Sequence, residues 1–129
     1  MTVAITPIYA AIVALLMAGL SMHVGMMRGR YGVALGDGGA RPLALSIRRF
    51  GNLSEYAAML VLLMLVMELT GTAARTLHLY GIAIVLLRLI HPIVLFDDMA
   101  APLWRKAGRF VAAGGTALLL VLGAAAILL

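Results

Sequence analysis

Cysteine is absent from the 129 residues. That excludes disulfides, thiolate metal sites and a cysteine nucleophile, so any thiol chemistry must use a ligand's sulfur. Charge is scarce as well: Asp, Glu, Lys and Arg make up 12% of the chain, against roughly a quarter in soluble domains. With 64% hydrophobic residues and a mean hydropathy of +1.11, this is a membrane composition. The first 27 residues hold no Lys, Arg, Asp or Glu. A cleaved signal peptide starts with a basic segment and ends at a small-residue cleavage site, whereas here the positive charges follow the apolar run, so an uncleaved first span is expected. Three histidines on different segments, without a repeated carboxylate spacing, offer no metal site. No Ser-His-Asp pattern is present.

What charge there is lies in particular places. The net +5 and pI near 10.5 come from basic residues at the ends of apolar segments, a distribution that suits topology signals and anionic membrane lipids and argues against nucleic acid. About 20 largely apolar residues cross a bilayer as a helix. Four segments qualify, at about 6–27, 45–69, 76–96 and 108–128, and together they predict one integral membrane domain over residues 1–129. Short links between successive spans make an antiparallel bundle of four transmembrane helices the simplest fold, all-α throughout. A bundle this small has a thin interior, which favours shielding its charges between copies of the chain in a homo-oligomer.

Arg28, Arg30, Arg41, Arg48 and Arg49 lie in or just after the first connection, and Arg105, Lys106 and Arg109 around the third; only Arg75 is on the other side. By the positive-inside rule the first and third connections are cytoplasmic and both termini face out. Gly36-Asp37-Gly38-Gly39 is turn chemistry. Gly19, Gly25, Gly114, Gly115 and Gly123 are expected to permit close helix packing.

Polar groups inside the spans are the candidate site, because a membrane sequence keeps them only for a reason. On a helix Arg48, Asn52, Glu55 and Tyr56 stand at i, i+4, i+7 and i+8 and share one face. A guanidinium fork, an amide and an acceptor-only carboxylate suit a small zwitterion. Arg49 points about 100° away and reads as an interfacial anchor. Arg88 and His91 share a face of the third span, just before Pro92, with Arg88 expected to pair with Glu55 or to contact a ligand anion. Ser54 is expected to bond its own helix, and Glu68 to be solvated or at lipid headgroups. The basic residues opening the fourth span read either as topological anchors or as cations reaching a ligand.

These residues resemble the MAPEG family, the membrane-associated proteins in eicosanoid and glutathione metabolism, and most closely its small bacterial members. The resemblance rests on Ile5-Thr6-Pro7-Ile8-Tyr9-Ala10, the Val33 to Gly39 loop, the Arg48 to Tyr56 spacing, Arg88 with His91, and the arginines of the fourth span. It implies a homotrimer in the bacterial inner membrane, with glutathione or a related low-molecular-weight thiol between subunits near the cytoplasmic side. By the same resemblance Arg48, Asn52, Glu55 and Tyr56, with Arg88, His91 and Arg28 or Arg30, contact the thiol. Arg105, or failing it Arg109, activates the sulfur toward a lipid-soluble electrophile. The implied activity is that of a glutathione-dependent transferase or peroxidase. Leu95 stands where catalytic eicosanoid-metabolising members often have a tyrosine, and Gly51 or Leu45 where some have another arginine. These departures keep a non-catalytic membrane ligand-binding or scaffold protein as the alternative.

Overall fold

A computed structural model describes residues 3–129. They form four α-helices and, among the described residues, no strand: α1 (Thr6–Tyr31), α2 (Arg41–Leu69), α3 (Ala74–Val94) and α4 (Leu103–Leu128). All four are long and apolar enough to cross a membrane, so the fold is an all-α bundle of transmembrane helices. Pro7 and Pro42 occupy the first turns of α1 and α2, where a missing N–H costs nothing. Gly32 closes α1 at φ 64°, and its N–H and that of Val33 reach back to the last-turn carbonyls.

α1, α2 and α4 outrun the expected apolar spans at the end where the basic residues gather, whereas α3 stops two residues short of its expected end there. α2 has 29 residues, ~43 Å at 1.5 Å per residue, against a hydrocarbon core of about 30 Å. Its first turns therefore stand in the headgroup region. α4 begins at Leu103, so Arg105 and Lys106 are on the helix and the linker before it is short. α3 runs through Pro92 and ends at Val94.

α2 and α3 form the centre. Each packs against the other and against both α1 and α4, while α1 and α4 do not meet. The core between them is Leu53, Leu60, Met64, Leu77, Ile84 and Leu119, sealed by Tyr9 and Tyr80. Gly81 makes the α1–α3 crossing possible, since a Cβ there would lie 2.5 Å from the Tyr9 ring. Tyr80 donates its hydroxyl to the Leu119 carbonyl at 2.9 Å, and Gly123 leaves room for that oxygen. Gly115 likewise accommodates Leu87. Gly19, Gly25 and Gly114 face open space within the chain, so the expectation of close packing fails for them inside it.

Glu68 stands at the open end of α2, as expected, and has partners there. Its carboxylate accepts the backbone N–H groups of Ala4, Ile5 and Thr6 at 2.7, 2.8 and 2.7 Å. The start of α1 lacks a capping side chain of its own, and an anion at a helix N-terminus meets both orphan donors and the dipole. Glu68 thus fastens α1 to the far end of α2. The basic ends of the helices collect at the opposite pole.

Candidate functional site

At that pole the shared face of α2 is assembled as two linked pairs. Arg48 Nη1 donates to Glu55 Oε1 at 2.8 Å, an ion pair whose side chains remain 58% and 51% exposed. Asn52 lies between them and accepts from Arg88 Nη1 at 2.9 Å. Glu55 is therefore taken by Arg48, and Arg88 does not use it. Instead Arg88 is only 1% exposed and bonds α4, through the Ala112 carbonyl at 3.2 Å and the Thr116 hydroxyl. Its guanidinium also sits 5.6 Å from the centre of the Tyr56 ring. The buried guanidinium is thus held by neutral acceptors, with no carboxylate paired to it among the described residues.

Beside this face is a cavity of about 350 Å³ lined by Arg41, Arg48, Asp97 and Arg109, with Leu95 and Phe96 among its apolar walls. Arg41 and Asp97 pair across it at 3.0 Å, joining the start of α2 to the α3–α4 linker. Arg109 lies with its guanidinium 5.0 Å from the Phe96 ring centre. Among the described residues the ion pairs are Arg41–Asp97 and Arg48–Glu55, so Arg109 brings an uncompensated positive charge to the cavity. Arg105 faces elsewhere. It donates to the carbonyls of Leu95 at 2.9 Å and Ile93 at 3.4 Å, closing the C-terminal end of α3, where carbonyls lack helical partners.

A polar, guanidinium-rich cavity at one pole of a four-helix membrane bundle is the setting in which the comparisons with known proteins become specific. The family model described as "MAPEG family" matches residues 6–126. This chain belongs to the MAPEG family. It is similar to the inner membrane protein YecN of Escherichia coli, from strains K12 and O6:H1, at 36% identity over 104 residues, covering 81% of this chain and 78% of each relative. No solved structure matches it significantly.

Within this MAPEG fold the expected residues divide by location. Arg48, Asn52, Glu55 and Tyr56 come together on one face, backed by the buried Arg88, and Arg109 enters the neighbouring cavity with Arg48. His91 is buried at 4% exposure. Arg28 turns back to the carbonyls of Ala34 and Gly36, at 3.3 and 2.8 Å, and shapes the α1–α2 connection. Arg30 is exposed. Neither lines the cavity within the protomer. Ser54 bonds the Gly51 carbonyl of its own helix, as expected.

Three participants were not singled out from the sequence. Arg41 is seven residues before Arg48, and Thr116 seven after Arg109, so helical spacing alone placed each on a face already under suspicion. Asp97 carried a weaker signal, an acid just past the span that holds Arg88 and His91.

Proposed function

We propose that this MAPEG member is a glutathione-dependent transferase or peroxidase of the bacterial inner membrane, a single membrane domain acting as a homotrimer on hydrophobic electrophiles. The observation that carries this reading is the placement of Arg109, an unpaired guanidinium in the cavity beside the Arg48-Asn52-Glu55 face. Glutathione, or a related low-molecular-weight thiol, has carboxylates for Arg48 and Arg41 and an ammonium for Glu55 or Asp97. Tyr56 continues the same face, and Arg88, buried behind it with His91, reaches that face through Asn52. The half-exposed Arg48–Glu55 pair is costly against lipid, and a neighbouring subunit that covers it accounts for its survival. Arg28 and Arg30, outside the cavity of their own protomer, then have a place at the cavity of the next. The E. coli relatives' name, inner membrane protein, supports the location. The basic pole supports cytoplasmic first and third connections, with both termini outside.

The chemistry follows from charge. A guanidinium beside the sulfur favours thiolate over thiol, and the thiolate is the nucleophile. In transfer, sulfur forms a bond to the electrophilic carbon, the leaving group departs with its electron pair, and the thiol proton passes to water. In peroxide reduction, sulfur attacks the O–O bond and an alcohol leaves; a second thiol then reduces the sulfenic product, giving disulfide and water. Of the two candidate arginines, Arg109 is the one the geometry favours within a protomer, Arg105 being committed to α3.

The test is thiolate absorbance in the ultraviolet when glutathione is mixed rapidly with the purified protein. It is expected in the parent and lost in Arg109→Ala. No glutathione binding by the parent sinks the proposal. Binding without thiolate or turnover supports the second reading, a non-catalytic ligand-binding or scaffold protein. One observation favours that alternative: the cavity wall carries Leu95, an alkyl group with no proton to donate.

A further inference from the structure

Arg109 and Phe96 have a second side. They also line a shallower cavity of about 490 Å³ with Met99, Lys106, Phe110 and Ala113. Met99 and Phe110 are largely exposed, at 77% and 79%, as is Trp104, two residues before Lys106. Lys106 and Arg109 lie outside both ion pairs of the described residues. Asp97 is occupied by Arg41, and Asp98 caps the backbone N–H of Ala100. The cavity therefore combines two free cations with an apolar floor.

Its depth in the membrane is set by position. It lies at the start of α4, where that helix stands in the headgroup region, and Trp104 next to it is a residue type enriched at that level. Lys106 and Arg109 are three apart on one face, and Phe110 and Ala113 continue that face toward the hydrocarbon. A phosphate at the cations with an acyl chain running along Phe110 and Ala113 matches both halves of the surface.

We propose that this cavity is a binding site for the headgroup of an anionic phospholipid. The shared guanidinium gives the site a consequence for the neighbouring one: a lipid phosphate and a thiol compete for Arg109. That second statement rests on the proposed thiol function; lipid binding does not.

The test uses the full-length protein in nanodiscs containing equal parts of phosphatidylglycerol and phosphatidylethanolamine, followed by release and native mass spectrometry to count retained lipids. Phosphatidylglycerol is expected to be retained in preference to phosphatidylethanolamine. Lys106→Gln is expected to lower its retention about fivefold, the worth of one cation at an anionic surface. Lys106→Arg is expected to preserve it, and Arg75→Gln, at the opposite pole, to leave it unchanged. Equal retention of the two lipids, or an unaltered preference in Lys106→Gln, overturns the proposal. Thiol binding is measured separately, in anionic and in zwitterionic nanodiscs. Weaker binding in the anionic discs, relieved by Lys106→Gln, supports the competition, and equal affinity refutes it. A parent that binds no glutathione in either disc refutes the thiol reading and leaves the lipid result standing.

Discussion

Arg88 gives the sharpest test of how the bundle tolerates a buried charge. Its guanidinium joins α3 to Asn52 on α2 and to Ala112 and Thr116 on α4. Replacing it with Met keeps an unbranched chain in the space and removes the charge. The partners then fare unequally. Thr116 keeps its bond to the Ala112 carbonyl at 2.7 Å, so neither group on α4 is orphaned. Only the Asn52 amide oxygen loses its partner, a desolvation cost of about 1–3 kcal/mol. Arg88→Met is therefore expected to destabilise by that amount, well below the loss implied by adding three charged hydrogen bonds, because the desolvation of the guanidinium is relieved at the same time. Asn52→Leu alone leaves a buried charge short of one acceptor and costs about 1.5–3 kcal/mol. Combined, the two substitutions remove the pair together and should cost less than the sum of the singles. Unfolding in mixed micelles at increasing dodecyl sulfate fraction, followed by circular dichroism, measures all three. A coupling below about 0.5 kcal/mol refutes the argument, since it means Arg88 and Asn52 do not depend on each other.

The other expectations concern how the helices are held. Gly81→Ala places a methyl against the Tyr9 ring and should cost about 1–3 kcal/mol by overpacking in the same unfolding assay, while Gly19→Ala, open within the protomer, separates a lipid-facing glycine, with no loss, from one at a subunit contact. Glu68→Ala removes the acceptor of three backbone amides, so hydrogen exchange at Ala4, Ile5 and Thr6 should accelerate together; unchanged protection refutes the staple. Arg105→Ala should loosen the end of α3, seen as faster exchange near Leu95, yet retain thiolate absorbance, whereas Arg109→Ala should do the reverse.

The fold was largely legible because a membrane sequence writes it in long apolar runs separated by charge and glycine. The ends were not, since hydropathy marks the hydrocarbon boundary and helices continue past it; Pro42 and Pro102 were the better signals for where α2 and α4 begin. Helical spacing placed Arg48, Asn52, Glu55 and Tyr56 on one face correctly. It did not disclose which charges pair, because spacing within one helix says nothing of the neighbour opposite. Glu55 went to Arg48 on its own helix, and Arg88 went to neutral oxygens on α4. The role of Glu68 was hidden for the same reason: its partners are amides 62 to 64 residues away, invisible to any local pattern.

The Arg48–Glu55 pair bears on which ligand the proposed site accepts. A single anion that draws Arg48 away leaves Glu55 without its cation nearly three turns inside the apolar span, and that loss offsets the new bond. A zwitterion replaces one ion pair with two and leaves no charge alone. Selectivity for a ligand with both a carboxylate and an ammonium then arises from the site's own pairing, before any contact with the rest of the ligand is counted. Arg109 stands outside that exchange, since neither ion pair includes it. Its charge is therefore available to a third ligand group. In a thiol whose carboxylates are held by Arg48 and Arg41 and whose ammonium is held by Glu55, that group is the sulfur.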